Sequence, residues 1–328
     1  MREKIHSIGV IGLGIMGRRM ITNVVKHSRL AISGAWDPDA KACADAAAET
    51  PGLTIMADAD AVIAAADLVY VATPPLWHRD YADRAMAAEK PLYCEKPLGI
   101  EIESSRDLVA ALDDTYTPNV VNFIQASSRA VTLTKERIDS GALGEIIGVD
   151  IIVHFTRWPR DWQADADWLR FRDQGGYTRE VLSHFLFVTQ RLLGPATLIT
   201  SCPVYQDDPE LCETHISAVL DCGGVPVSVL GSSGGAGPDR VEMTVWGSKR
   251  SHRLHDWFFL QSSDGGEWIQ EFPEVEDPRV EGFGLQLDNV AAWMDGEPNV
   301  LSSAADALEI LPYWRTLHSA AAHRKGEF

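Results

Sequence analysis

Short apolar runs alternate with helical patterns through the first third of the chain. Ile5–Ile11 reads as a strand, Met16–Lys26 as a helix, Leu30–Trp36 as a strand and Asp39–Glu49 as an alanine-rich helix. The rhythm continues with a short strand at Leu53–Met56, a helix around Ala59–Ala65 and a wholly apolar strand at Leu68–Ala72. A helix over Trp77–Ala88, a strand at Pro91–Cys94, a helix over Ile102–Leu112 and a closing segment at Asn119–Ile124 complete it. Strands with no polar face, separated by helices, predict a doubly wound parallel sheet covered on both sides.

The pattern changes after about Ile124. A helix at Ala130–Ser140 stops at Gly141, a long strand runs from Glu145 to Phe155, and Arg157–Gly176 has no period. Thr178–Leu193 reads as a helix stopped by Gly194-Pro195. Strands then dominate from Thr197 to about Ile269, with turns such as Asp221-Cys222-Gly223-Gly224, before closing helices at Phe283–Met294 and Ala304–Ala321. The expected architecture is an α/β domain over residues 1–124. An α+β domain with an open, largely antiparallel sheet occupies residues 125–328.

Composition narrows the function. The 328 residues are 45% hydrophobic, which excludes a disordered tail, and no uninterrupted apolar stretch is long enough to suggest a membrane span. Lys and Arg total 29 against 47 Asp and Glu, a formal charge of -18 that repels a nucleic-acid backbone. Five scattered cysteines without a CxxC pair or a Cys/His ligand spacing predict neither a disulfide framework nor a metal site. The apolar run Ile8–Met16 superficially resembles a signal peptide, but it carries three glycines and leads into Arg18-Arg19. It reads as a buried strand and turn, and the expected location is cytoplasmic.

Gly12-Leu13-Gly14-Ile15-Met16-Gly17 is GxGxxG after a strand and at the start of a helix. The first glycine permits the turn, the second lets a pyrophosphate approach, and the third packs helix against strand; the helix N-terminus, with Ile15 and Met16 in its first turn, attracts phosphate. Asp37 ends the second strand about twenty residues on, where an acid accepts both ribose hydroxyls and repels a 2′-phosphate. NAD is therefore favoured over NADP. Asp37 also suits an N-cap of the next helix, and the two roles are compatible.

Two further stretches carry a family resemblance. Ala72-Thr73-Pro74-Pro75 with His78, then Lys90-Pro91-Leu92-Tyr93-Cys94-Glu95-Lys96-Pro97-Leu98, resembles the signature segment of the Gfo/Idh/MocA oxidoreductases. Gly141-Ala142-Leu143-Gly144-Glu145-Ile146 is similar to that family's entry into its second domain, and Ala304–Arg324 to its last helix. The resemblance implies a Rossmann fold, with Thr73, Pro74, His78, Glu95 and Lys96 beside the cofactor and Lys96 as the positioning acid near the nicotinamide. The residues alone allow a surface Lys paired with Glu95.

The resemblance also implies a second motif, here Gly175-Gly176 followed by Glu180 and His184. Four residues apart on a helix, Glu180 and His184 share a face, and a carboxylate beside an imidazole fixes its orientation. His184 then suits the proton acceptor or donor, with Glu180, where the family usually has Asp, in support; a lone core histidine is the bland alternative. Arg157, Arg160, Arg170 and Arg172 crowd the aperiodic segment with Trp158, Trp162 and Trp168, followed by Tyr177. Arg157, Trp158, Arg172 and Tyr177, with Lys96, Glu180 and His184, are the expected substrate contacts. Interleaved Asp161, Asp165, Asp167 and Asp173 equally suit a self-neutralised loop.

The expected function is an NAD(P)-dependent oxidoreductase moving a hydride between nicotinamide and a sugar, polyol or hydroxy acid. Lys96 and His184 would handle the reacting oxygen and its proton. The alternatives are an NAD-dependent glycosidase and a non-catalytic nucleotide-sensing regulator. The resemblance further implies a homodimer or homotetramer.

Overall fold

The computed structural model describes residues 4–319 and divides into two compact units. One takes in Met1–Ile124 with Phe283–Leu308, the other Gln125–Gly282 with Glu309–Phe328. The change of unit at Ile124 falls where the hydrophobic pattern changes. The remainder is not one continuous 125–328 domain, because Phe283–Leu308 returns to the first unit: Leu287, Val290 and Ala291 pack into that unit's core beside Ile8, Val10 and Met20.

In the first unit the elements are β1 (His6–Ile11), α1 (Ile15–Val24), β2 (Leu30–Trp36), α2 (Ala40–Glu49), α3 (Ala59–Ala65), β3 (Leu68–Val71), α4 (His78–Ala87), β4 (Leu92–Cys94), α5 (Ile102–Asp114) and β5 (Asn119–Val121). Asp39 and Asp58 cap α2 and α3 by accepting from the amides of Lys41 and Ala61. The strands pair in parallel in the order β2-β1-β3-β4-β5. The chain leaves β1 toward β2 on one side and returns to β3 on the other. This switch point opens a crevice at the strands' C-terminal ends, where open α/β sheets bind ligands. The expected strand Leu53–Met56 is reduced to a single bridge, Ile55 to Ala35.

The second unit begins with α6 (Arg129–Asp139), β6 (Ile146–Phe155) and α7 (Ser183–Leu193). It continues through β7 (Thr197–Tyr205), β8 (Glu213–Cys222), β9 (Val225–Ser233), β10 (Arg240–Gly247), β11 (Ser251–His255), β12 (Phe259–Ser263) and β13 (Ile269–Gln270). Their order is β13-β12-β11-β10-β6-β9-β8-β7, antiparallel except for β6 beside β9. Alternation along the strands buries Val149, Ile151 and Val153 with Leu220, Val227 and Val245, while Val219, Leu230 and Trp246 stay exposed. Residues of α6 and α7, among them Val131, Val188 and Leu192, meet Met243, Val245, Leu254 and Leu260 of the sheet. The chain closes with α8 (Pro278–Met294) and α9 (Ala304–Ser319); the rest of the expected terminal helix, and of the segment to Arg324 that resembles the family's last helix, lies outside the described residues.

Candidate active site

The turn after β1 is built so that side chains are excluded. Gly12 has φ +99°, and a Cβ there would lie 2.7 Å from the Ala72 carbonyl; one on Gly17 would meet the Gly12 oxygen at 1.8 Å. Gly14, the residue before α1, has nothing within 4 Å of the equivalent position, so the space a pyrophosphate needs is open. Ile15 and Met16 form the first turn of α1, whose leading amides have no partner within the helix. The half-buried Asp37 accepts from the Leu13 amide at 2.7 Å and the Asp39 amide at 2.8 Å, tying the end of β2 to the glycine turn. The helix capping itself falls to Asp39.

Beside this turn β3 leads through Ala72 into Thr73-Pro74. The Thr73 hydroxyl is buried and has no hydrogen-bond partner, an orphan donor that a bound polar group would satisfy. The glycine cradle, the open face at Gly14 and this hydroxyl together fit a dinucleotide.

Glu95 and His78, expected beside the cofactor, are both buried and hydrogen-bonded within the first unit. His78 is buried, with Nε2 at 2.8 Å from the Thr73 carbonyl and Nδ1 at 3.0 Å from that of Pro97, so it braces two loops at the crevice. The Glu95 carboxylate is buried and accepts from the Tyr70 hydroxyl, from the Asn122 amide at 2.6 Å and from the Lys96 N–H at 3.2 Å. Burial pushes its pKa above the usual carboxylate range, opposed by those donors and by the Lys96 charge. Lys96 itself is half-buried at the C-terminal edge of the sheet, just beyond β4.

In the second unit His184 stands on α7 within a buried run from Ser183 to Thr189. Its Nδ1 lies 2.7 Å from Oε1 of Gln125, and its ring meets the edge of Trp257 at 5.5 Å between centroids. Sequence reasoning missed both partners, since neither residue carries a motif. Trp257 has φ +76° in the turn between β11 and β12, a conformation that is rare for a bulky side chain and clusters at functional sites.

The expected helix from Thr178 starts as a π-turn over Thr178–Leu182, which includes the half-buried Glu180, before α7 begins. The buried carboxylate of Glu213, on β8, accepts from both the Thr178 amide at 2.9 Å and its hydroxyl at 2.6 Å. A Cβ on Gly176, whose φ is +96°, would sit 2.8 Å from that carboxylate, and one on Gly175 would strike the Leu169 carbonyl. The glycine pair therefore lets the chain pass Glu213 and the Leu169 backbone, and it places the π-turn.

The aperiodic segment holds less free chemistry than its composition suggests. Arg157 is exposed and paired with Asp161, Arg170 with Asp167, and the exposed Arg172 lies over the Tyr205 ring at 3.9 Å. Tyr177 is fully buried and packs edge-on against Trp158, whose indole N–H donates to the Leu169 carbonyl. Burial draws Tyr177 into the unit's core, while Trp158 stays half-buried. Arg160 is different: its guanidinium lies within 6 Å of the Phe155, Trp158, Trp162 and Trp257 rings, so it shares Trp257 with His184. Among the described residues no group of three or more His, Cys, Asp or Glu is placed to hold a metal ion.

Comparison with known proteins decides the lineage. A family profile described as an oxidoreductase family with an NAD-binding Rossmann fold matches residues 6–123, and the GFO/IDH/MocA C-terminal domain matches residues 131–253. The chain belongs to the GFO/IDH/MocA family. Among its relatives are inositol 2-dehydrogenase of Corynebacterium glutamicum, 31% identical over 144 residues (43% of each chain), and 2,7-anhydro-N-acetylneuraminate hydratase of Escherichia coli. The latter is 26% identical over 190 residues, 57% of this chain and 49% of the relative. The matched stretch thus spans about half the length of these relatives or less. An oxidoreductase from Agrobacterium radiobacter, solved with NAD+, L-tartaric acid and magnesium, shares the fold at a TM-score of 0.82 and 18% identity over 97% of this chain and 96% of that one. As in the family description, the first unit of this GFO/IDH/MocA protein is the NAD-binding Rossmann fold. Among the described residues no helix is long and apolar enough to cross a membrane.

Proposed function

We propose that this protein is a cytoplasmic NAD-dependent dehydrogenase or reductase acting on a CH–OH group of a sugar, polyol or related hydroxy compound. The observation that carries the reading is Lys96: an ammonium at the C-terminal edge of a Rossmann sheet, on a backbone anchored by the buried Glu95 carboxylate, in the crevice the glycine turn opens. The glycine turn, the first turn of α1 and Thr73 would hold the dinucleotide, and Asp37 would accept its ribose hydroxyls, disfavouring NADP. A bound nicotinamide supplies the hydride acceptor or donor.

The chain's own residues deal with oxygen and proton. Lys96 donates to the reacting oxygen and stabilises the charge that develops on it. His184 exchanges the hydroxyl proton at Nε2, because the Nδ1–H donation to Gln125 leaves a lone pair there in the neutral ring. Glu180, one turn before His184, supports that histidine or meets a neighbouring hydroxyl. Arg160 and Trp257 are better substrate contacts than the fully buried Tyr177, because Trp257 meets the His184 ring and Arg160 lies over Trp257.

The test is a panel of polyols, aldoses and uronic or aldonic acids offered with NAD and NADP while absorbance of the reduced cofactor is followed. Turnover with at least one member, faster with NAD, is expected; no turnover with any member and either cofactor would overturn the reading. The hydratase relative motivates a second reading, an NAD-dependent glycosidase. Its signature is sugar cleavage without net release of reduced cofactor.

The exposed face of the eight-stranded sheet carries Val219, Leu230 and Trp246, with Ile147 and Ile199 exposed at irregularities of its strands. We assign it to a second copy of this chain, in a homodimer or homotetramer, because so broad an apolar face is unusual on a monomer.

A further inference from the structure

Beneath Lys96 the core of the first unit is polar. Tyr70 of β3 and Tyr93 of β4 are register partners with ring centroids 5.0 Å apart, and both are fully buried. Their hydroxyls point to different acceptors: Tyr70 donates to Glu95, and Tyr93 to the Asn122 carbonyl oxygen at 2.7 Å. Asn122 turns its amide to Glu95 at 2.6 Å, and Gln286 of α8 closes the set by donating to the Tyr93 hydroxyl at 3.0 Å and to Asn122 at 3.2 Å. Side chains from β3 and β4, from the residues just past β4 and β5, and from α8 thus form one connected network. Its carboxylate meets the next residue in the chain, Lys96, at that residue's backbone N–H.

Such a network is a costly way to fill a core. Apolar residues of the same volume are often as stabilising or more so, and a buried carboxylate is tolerated only when its oxygens are satisfied. Here three donors converge on the two Glu95 oxygens, the arrangement suited to the ionised form. The Lys96 ammonium in turn opposes the upward push that burial gives Glu95. The titratable groups facing Glu95 are Tyr70 from β3, Tyr93 and Cys94 from β4, and Lys96. Burial raises Tyr70, Tyr93 and Cys94, so these three stay neutral.

We propose that Glu95, held by Tyr70 and Asn122, is a positioning residue: its buried charge fixes the Lys96 backbone and ammonium for the reaction rather than touching the cofactor. This rests on the role assigned to Lys96 above, and the experiment separates the two. Lysines are reductively methylated with carbon-13 formaldehyde, and the signal missing in Lys96→Met is assigned to Lys96. The chemical shift of that signal is then compared in the wild type, Glu95→Gln and Tyr70→Phe, alongside kcat, NADH affinity by fluorescence and thermal midpoint. His6→Gln, a buried hydrogen-bonding side chain at the far end of β1, is the control for a purely structural loss.

In Glu95→Gln the Lys96 signal is expected to move and kcat to fall about tenfold or more, with NADH affinity within about threefold of wild type. Tyr70→Phe should shift both in the same direction by less, and His6→Gln should change the thermal midpoint alone. A Glu95→Gln protein with an unmoved Lys96 signal and wild-type kcat overturns the proposal, as does loss of NADH binding in parallel with kcat. Retained turnover in Lys96→Met would instead overturn the role of Lys96 itself.

Discussion

At Gly17 a single methyl group is enough to disturb the cofactor cradle. It would overlap the Gly12 carbonyl, so Gly17→Ala must push α1 away from β1. NADH affinity measured by fluorescence titration should fall by about tenfold or more, whereas Gly14→Ala, with open space around it, should fold with a thermal midpoint close to wild type. The glycines and Asp37 were legible because their chemistry depends on local spacing. Glu95 was legible as a residue and its hydrogen-bond partners were not, since Tyr70 and Asn122 lie 25 and 27 residues away and meet it through strand pairing. Trp257 left no trace in the sequence, because its place beside His184 depends on a left-handed turn. Trp257→Ala is expected to lower kcat/KM for the best panel substrate by about tenfold or more while leaving NADH affinity within about threefold.

Elements extend the same logic to stability. Strands and helices of the first unit follow the apolar pattern closely, since a parallel sheet buried on both faces writes itself as continuous apolar runs. The π-turn before α7 reads as ordinary helix in the sequence, because the Glu213 carboxylate that holds Thr178 comes from a strand 35 residues further on. Burial raises the Glu213 pKa above its unfolded value, so the native state binds the proton more tightly. That stability is present below about pH 4.5 and is lost as pH rises through the raised value. Glu213→Gln should remove this slope, which paired urea titrations at low and neutral pH would show.

His252 works in the opposite sense. Buried between Thr134 and Arg137, it is held down to about 4 by desolvation and by the Arg137 charge. The unfolded chain therefore takes up the proton first. Stability is lost as pH falls from about 6.5 through about 4, and His252→Gln should flatten that limb of the urea-midpoint profile.

At the scale of the molecule, the pattern located the passage from one unit to the next at Ile124 but not the return of Phe283–Leu308, whose apolar positions do not say which core they enter. The exposed sheet face yields a prediction of its own: light scattering should report a dimer or larger assembly, and charged residues at Leu230 and Trp246 together should yield a monomer. A wild-type monomer would refute that assignment. The chemistry is tested most directly by Lys96→Met loaded with NAD and mixed with the best substrate of the panel, following the absorbance of the reduced nicotinamide. NAD affinity within about threefold of wild type, with turnover lowered about a thousandfold, is the expected result. Turnover within about tenfold of wild type would contradict the role given to Lys96.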